Sequence, residues 1–150
     1  MKLLNKMTPK IDHLQITVRD LDIAEKFYDK LMPILGFDLS KKSKGRVPAN
    51  EFDVIEYAHK NLTVGFNSPR EQFKSDAIHR RKPGSLHHLA FAASSKDEVD
   101  ELSEKLKAIN ANIVAGPCLF PQHGENYYAV FFKDDEGIKY EIVFEKRDYL

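Results

Sequence analysis

The sequence predicts an α+β fold built from two copies of one module, in which a strand and a helix are followed by three more strands. Alternating polar and apolar residues follow His13 and again His88, 75 positions later, as expected of strands with two different faces. Segments 24–31 and 99–106 carry apolar residues at helical spacing and match at the same offset. A strand pattern and a helix pattern repeated in one register indicate a duplicated module.

The first module is predicted to span about residues 11–67. Either Asp20 or Asp22 has the position of a helix N-cap. The basic segment 40–46 is interpreted as a solvated loop. The predicted elements are a strand at 11–18, a helix containing 24–34, a short strand at 37–39, and a hairpin of strands 52–57 and 62–66.

Residues 68–85 are predicted to link the two modules, because polar residues, prolines and glycine dominate the segment. The link ends in the cationic run 79–82. Most such runs are solvated faces of a protein. Since this one immediately precedes the second histidine strand, it could also line the edge of a pocket and attract an anionic substrate.

The second module is predicted to span about residues 86–145, and it repeats the order of the first. Ser95 followed by Glu98 has the spacing of a capping box. The predicted elements are a strand at 86–93, a helix after Ser95, a short strand at 112–115, a long loop at 116–126, and a hairpin of strands 127–133 and 139–145.

Composition indicates one domain, residues 1–150, with a small-molecule partner. The 23 basic and 23 acidic residues balance, so no global field favours nucleic acid or an anionic membrane. No run of consecutive apolar residues approaches the length that a membrane span requires. The single cysteine, Cys118, excludes an internal disulfide. A reducing cytoplasm is the expected location.

Two histidines on equivalent strands and one late acidic residue are the candidate chemical groups. Glu141 lies among Tyr, Ile, Val and Phe, where an unpaired carboxylate is costly to bury. Together with His13 and His88 it could form a site of two histidines and one carboxylate with open coordination positions. Alternatively, the histidines are structural and Glu141 forms a salt bridge with a basic residue on a neighbouring strand.

The chain resembles the vicinal oxygen chelate superfamily, also called the glyoxalase/bleomycin resistance/dioxygenase family, from about Ile11 to Glu145. This resemblance implies paired βαβββ modules that form a cupped mixed sheet, and it assigns His13, His88 and Glu141 as metal ligands. A divalent Zn, Ni, Co, Mn or Fe ion and a homodimer are implied as well. The matching segments are Asp12-His13-Leu14, Phe27-Tyr28, Leu35-Gly36-Phe37, His88-Leu89-Ala90-Phe91, Tyr127 to Phe132, Asp134 to Gly137 and Lys139-Tyr140-Glu141.

One departure from the family pattern concerns the fourth ligand. Glyoxalase I-like members carry it, usually as glutamate, on the last strand of the first module, which here is 62–66 and has no ligand. Glu56 belongs to the preceding strand and is interpreted as an exposed hairpin residue. The pattern therefore predicts a three-ligand centre.

Further polar residues are expected near the implied cup. Tyr127 and Tyr128 fall on opposite faces of a strand, so one of them faces the cup. Core packing alone explains both, and Tyr128 is the candidate for a hydrogen bond to a substrate oxygen. His123 lies in the loop that would overhang the opening and could act as a general acid or base, the alternative being a solvated loop residue. His87 is expected on the helix-facing side of its strand.

The resemblance favours a metal-dependent, glyoxalase-like lyase or isomerase acting on a small oxygenated substrate that the metal chelates through oxygen atoms. An extradiol dioxygenase-like or thiol transferase-like enzyme would use the same three ligands. A metal-free protein that sequesters a drug or metabolite, as in the bleomycin resistance branch, is the alternative from a different class.

Overall fold

The computed structural model describes residues 8–147 and confirms the duplicated α+β architecture. The first module comprises β1 His13–Thr17, α1 Leu21–Ile34, β2 Lys42–Val47, β3 Phe52–Tyr57 and β4 Thr63–Asn67. The second comprises β5 Leu89–Ala92, α2 Lys96–Ala108, β6 Asn112–Leu119, β7 Tyr128–Lys133 and β8 Lys139–Phe144. Within residues 8–147, neither helix combines the length and the apolar character that a bilayer crossing requires.

Each module forms its own four-stranded mixed sheet, with strand orders β1-β4-β3-β2 and β5-β8-β7-β6. The first strand of each module runs parallel to the last, and the remaining pairs are antiparallel. Gln15 pairs with Gly65 in one sheet, and Ala90 pairs with Glu141 in the other. Gly65 is therefore the structural equivalent of Glu141.

The two modules bury one face of each sheet in a shared apolar core. Helix α1 contacts β3 and β4, α2 contacts the second sheet, and the helices contact each other. The opposite faces carry exposed residues, including His13 and Gln15 on β1 and Ala90 on β5. Each sheet therefore presents its second face away from the shared core.

Both helices begin where the sequence predicts, because side chains satisfy their first amide groups. Asp20 Oδ1 accepts a hydrogen bond from the Ile23 amide at 3.0 Å, which identifies Asp20 as the N-cap. Ser95 Oγ accepts from the Glu98 amide at 3.0 Å. The Glu98 carboxylate reaches back to the amide of Ser94, so the capping interaction extends one residue further than predicted.

The prediction for residues 37–46 was wrong. Residues Leu39–Lys41 form a short 3₁₀ turn, and the expected basic loop is strand β2. Lys42 Nζ lies 2.5 Å from Glu25 Oε1 and 2.7 Å from Asp29 Oδ1, and both acids belong to α1. The lysines of β2 thus face acidic residues of the helix, and this tertiary pairing overrides the loop-like composition.

Two further boundaries differ from the prediction. Strand β5 begins at Leu89, so His88 immediately precedes it. Strand β6 continues to Leu119, and its register with β7 shifts on both sides of Ala115. These irregularities bend β6, and the predicted loop therefore begins later, after Leu119.

A buried hydrogen-bond network ties α1 to the second module. The Tyr28 hydroxyl donates to Asp134 Oδ2 at 2.6 Å and lies 2.6 Å from the Tyr140 hydroxyl. Asp134 Oδ1 also accepts from the Ile138 amide at 2.8 Å. Burial raises the pKa of the Asp134 carboxyl, and these hydrogen bonds oppose that shift. The network satisfies polar groups that would otherwise be unpaired in the core.

We expect Tyr28→Phe to lower the free energy of unfolding by about 2 kcal/mol, since Asp134 Oδ2 and the Tyr140 hydroxyl each lose a buried partner. Urea titration monitored by circular dichroism measures the change. Tyr128→Phe is the matched control, because the Tyr128 hydroxyl donates to Asp100 at the surface, and it should cost less than about 1 kcal/mol. Equal losses in the two variants would contradict a specific role for the buried network.

Candidate functional site

A cavity of about 500 Å³ lies against the exposed face of the second sheet. Its floor is Phe131 of β7, which pairs with Glu141 of β8 on one side and Ala115 of β6 on the other. The loop that follows β6 covers the cavity. Its Phe120 packs edge-on against Phe131, with the two ring centres 5.1 Å apart. The site is therefore built almost entirely from the second module.

Glu141 is completely buried although it borders this cavity. Its Oε1 accepts a hydrogen bond from the Tyr127 hydroxyl. Its Oε2 lies 3.2 Å from His88 Nε2, yet it accepts no hydrogen bond within residues 8–147 because that contact lacks hydrogen-bond geometry. A buried carboxylate oxygen without a donor is costly, so Oε2 and His88 Nε2 are well placed to share a cation.

His88 is oriented by its neighbour in the chain. His88 Nδ1 lies 2.8 Å from His87 Nδ1, so one ring donates to the other. When His88 donates, its Nε2 presents a lone pair toward Glu141, which is the tautomer a metal ligand requires. His87 was expected on the helix-facing side. Its exposed ring instead contacts His88, because the strand begins only at Leu89.

His13 does not join this pair. Its side chain is 59% exposed on β1, and its Nδ1 lies 2.7 Å from Asp12 Oδ1. Among residues 8–147, no three His, Cys, Asp or Glu side chains gather closely enough to hold a metal ion. One chain therefore brings together two of the three predicted ligands, His88 and Glu141, and leaves His13 on the other sheet.

The two tyrosines exchange the roles predicted for them. Tyr128 faces α2, where its hydroxyl donates to Asp100 at 2.5 Å and this hydrogen bond raises its pKa to about 12. Tyr127 is the residue that reaches Glu141. Burial raises the pKa of Tyr127, and its hydrogen bond to Glu141 raises it further. Alternation alone leaves the strand's phase open, so the sequence could not show that Tyr127, and not Tyr128, contacts Glu141.

His123 lies in the same cavity as the predicted ligand pair. Its ring centre is 5.2 Å from that of Tyr127 and 6.3 Å from that of Phe131. It forms no hydrogen bond with Glu141 in the described part of the chain. His123 is thus available at the cavity wall for proton transfer to or from a bound molecule.

Sequence reasoning missed Lys139 as a site residue. Lys139 Nζ lies 4.5 Å above the Phe131 ring and borders the cavity. Desolvation lowers the pKa of Lys139, and the positive charge of Arg80 lowers it further. The period-two pattern of β8 places Lys139 and Glu141 on one face, so the sequence did contain a reason to expect Lys139 near the site.

Comparison with known proteins agrees with the fold. Residues 10–142 match the model of the Glyoxalase/Bleomycin resistance protein/Dioxygenase superfamily. The chain is 30% identical over 132 residues to the uncharacterized protein YqjT of Bacillus subtilis, covering 87% of this chain and 95% of that protein. It is 27% identical over 143 residues to the metallothiol transferase FosB of Bacillus licheniformis, covering 93% of this chain and 80% of FosB.

A solved structure shows the same architecture. The crystal structure of a candidate glyoxalase from Bacillus halodurans superposes with a TM-score of 0.70 at 31% identity, covering 90% of this chain and 95% of that one. The family match spans both modules, including His13, His88 and Glu141. This chain therefore belongs to the Glyoxalase/Bleomycin resistance protein/Dioxygenase superfamily.

Proposed function

We propose that the protein is a metal-dependent, glyoxalase-like lyase or isomerase whose site is shared between two copies of the chain. Its substrate is a small molecule that offers oxygen atoms to the metal. The buried Glu141 oxygen without a hydrogen-bond donor, 3.2 Å from His88 Nε2, is the observation that carries the proposal. Members of the superfamily typically bind divalent metal ions, and this donor pair fits such an ion.

A three-ligand site would need a second copy, because His13 is exposed on the first sheet and does not gather with His88 and Glu141 among residues 8–147. Strands β1 and β5 are edge strands of their sheets, so either can accept a neighbouring strand. In a symmetric dimer the contact is reciprocal. His13 of each copy would then complete the ligand pair of the other, giving two equivalent three-ligand sites.

Each residue of the cavity has a separate role in this proposal. A bound divalent ion would supply Lewis acidity to substrate oxygens and stabilise the enolate-like charge that follows proton abstraction. Tyr127 holds Glu141 Oε1 and leaves Oε2 directed toward His88. His123 is the candidate proton donor or acceptor at the cavity wall. The Phe131 floor excludes water from beneath the substrate.

Mixed dimers test both the metal and the sharing of the site. His13→Ala and Glu141→Gln homodimers should each lose tightly bound Mn(II) or Zn(II). A mixed dimer of the two variants should regain one site per dimer, because one copy supplies an intact His13 and the other intact His88 and Glu141. Differently tagged chains, two-step affinity purification and elemental analysis give the metal content.

Two results would contradict the proposal. Mixed dimers without metal would show that each site belongs to one chain, since both chains then carry a broken ligand set. Wild-type protein that retains no metal after loading with any divalent ion would favour a metal-free binding protein. The charge-matched control is a mixed dimer of His59→Ala and Glu145→Gln, which should retain two sites.

We expect Tyr127→Phe to weaken Mn(II) affinity by about 10-fold or more, the usual cost of removing a partner that orients a metal ligand. The hydroxyl that fixes Glu141 Oε1 is lost, while the aromatic ring against His123 remains. Competition with a chelator measures the affinity. Tyr128→Phe should leave it unchanged, because Tyr128 faces α2, and a similar loss in both variants would exclude an orienting role for Tyr127.

A thiol transferase is the second candidate, favoured by the 27% identity to the metallothiol transferase FosB. Both reactions use the same ligands, so the cosubstrate separates them. Turnover of an electrophilic substrate that depends on added thiol and conserves the thiol in the product would favour transfer. Isomerisation or cleavage without net consumption of thiol would favour the lyase or isomerase.

A further inference from the structure

A second cavity of about 680 Å³ adjoins the first, and Lys139 borders both. Strand β1 forms one wall and the turn before β8 forms another. The third wall is the segment between the modules, residues 69–86. The second cavity therefore shares Lys139 with the cavity that contains His88 and Glu141, and the proposed metal site does not account for it.

The charges around the second cavity are unbalanced. Arg19, Arg80, Lys82 and Lys139 border it, against one acid, Asp76. Neither Arg80 nor Lys139 forms an ion pair with another described residue. Arg80 and Lys139 thus border the second cavity without an ion-pair partner among residues 8–147.

Apolar side chains from all three walls also line the second cavity. These residues come from β1 and the residue after it, from the linking segment and from the turn before β8: Leu14, Ile16, Val18, Phe73, Ile78, Leu86 and Ile138. Phe73 is 52% exposed, so part of its ring is open at the cavity wall. An apolar wall with a few convergent charged groups is typical of a small-molecule site.

We propose that the second cavity binds the apolar body of a small organic anion whose carboxylate, phosphonate or phosphate group meets Lys139 and Arg80 beside the metal site. Guanidinium and ammonium groups hold such oxygen anions through charge-assisted hydrogen bonds. That this anion is the substrate rests on the proposed function. Binding of the anion does not depend on the proposed function, because Lys139 and Arg80 border the cavity whether or not a metal ion is bound.

Titration of metal-free protein with phenylphosphonate, followed by amide NMR shifts, tests the site. Phenylphosphonate should bind more tightly than inorganic phosphate, which lacks the apolar body, and than benzyl alcohol, which lacks the charge. Arg80→Gln and Lys139→Met should each weaken its binding about 10-fold. The methionine retains an apolar stem over Phe131. Lys60→Gln removes one exposed charge in the β3–β4 turn and should change binding less than about 2-fold.

Three results would overturn the proposal: equal effects of the three charge variants, benzyl alcohol binding as tightly as phenylphosphonate, or no shift with any probe. Metal content of the same Arg80→Gln protein is measured in parallel. Weakened anion binding with normal metal content would place the defect in the second cavity. A protein that binds phenylphosphonate but never metal would leave this site intact and would contradict only the proposed function.

Discussion

Glu141→Gln should lower the affinity for Mn(II) by more than about 100-fold, beyond the loss usual for an outer-shell partner. The substitution removes the negative charge from the only carboxylate beside His88 Nε2 in the described chain. Glutamine has nearly the same shape, and its amide oxygen can still accept from Tyr127. The fold should therefore persist, and chelator competition together with circular dichroism measures both properties.

The control for Glu141→Gln is Glu145→Gln. Glu145 also borders the cavity, but its carboxylate lies 2.8 Å from Arg147 and not beside His88. This variant should retain wild-type metal affinity. If Glu141→Gln bound metal as tightly as Glu145→Gln, the buried carboxylate would be a structural group and the metal proposal would fail.

Gly116→Ala should lower the free energy of unfolding by about 3 kcal/mol or more. A Cβ at this position would lie 2.3 Å from the Ala129 carbonyl oxygen, which belongs to the backbone of β7 and has little freedom to move. Gly116 also has φ of +80°, a conformation that alanine adopts with strain. Urea titration gives the loss for the variant.

Two other glycines separate the contributions to the Gly116→Ala effect. Gly45→Ala has an ordinary φ and no atom within 4 Å of the added Cβ, whereas Gly137→Ala has φ of +96° and equally free space. We expect almost no loss for Gly45→Ala and about 1 kcal/mol for Gly137→Ala. If Gly116→Ala and Gly137→Ala lowered the free energy of unfolding equally, the close approach of β6 to β7 would make no contribution to the loss.

The sequence alone predicts the module order because duplication supplies two independent views of each pattern. His13 and His88 stand out only through this repeat, and both helix caps follow from local chemistry. Strand β2 could not be predicted from the sequence, because its lysines pair with acidic residues of α1 that are distant in sequence. Local composition contains no information about such a partner.

The candidate site is only partly predictable for a similar reason. Glu141 is recognisable as a carboxylate within an apolar strand, whereas its partner could be either Tyr127 or Tyr128 until strand phase is known. The separation of His13 from His88 and Glu141 depends on how the modules pack, which no short pattern records.

Glycine at position 65 affects the net charge of the proposed metal centre. Because Gly65 occupies the position equivalent to Glu141, the second acidic ligand of a symmetric arrangement is missing. A doubly charged ion held by two neutral imidazoles and a single carboxylate keeps one unit of positive charge. Such a centre would attract negatively charged oxygen donors more strongly than a neutralised one, so glycine at position 65 would favour anionic reactants at the proposed site.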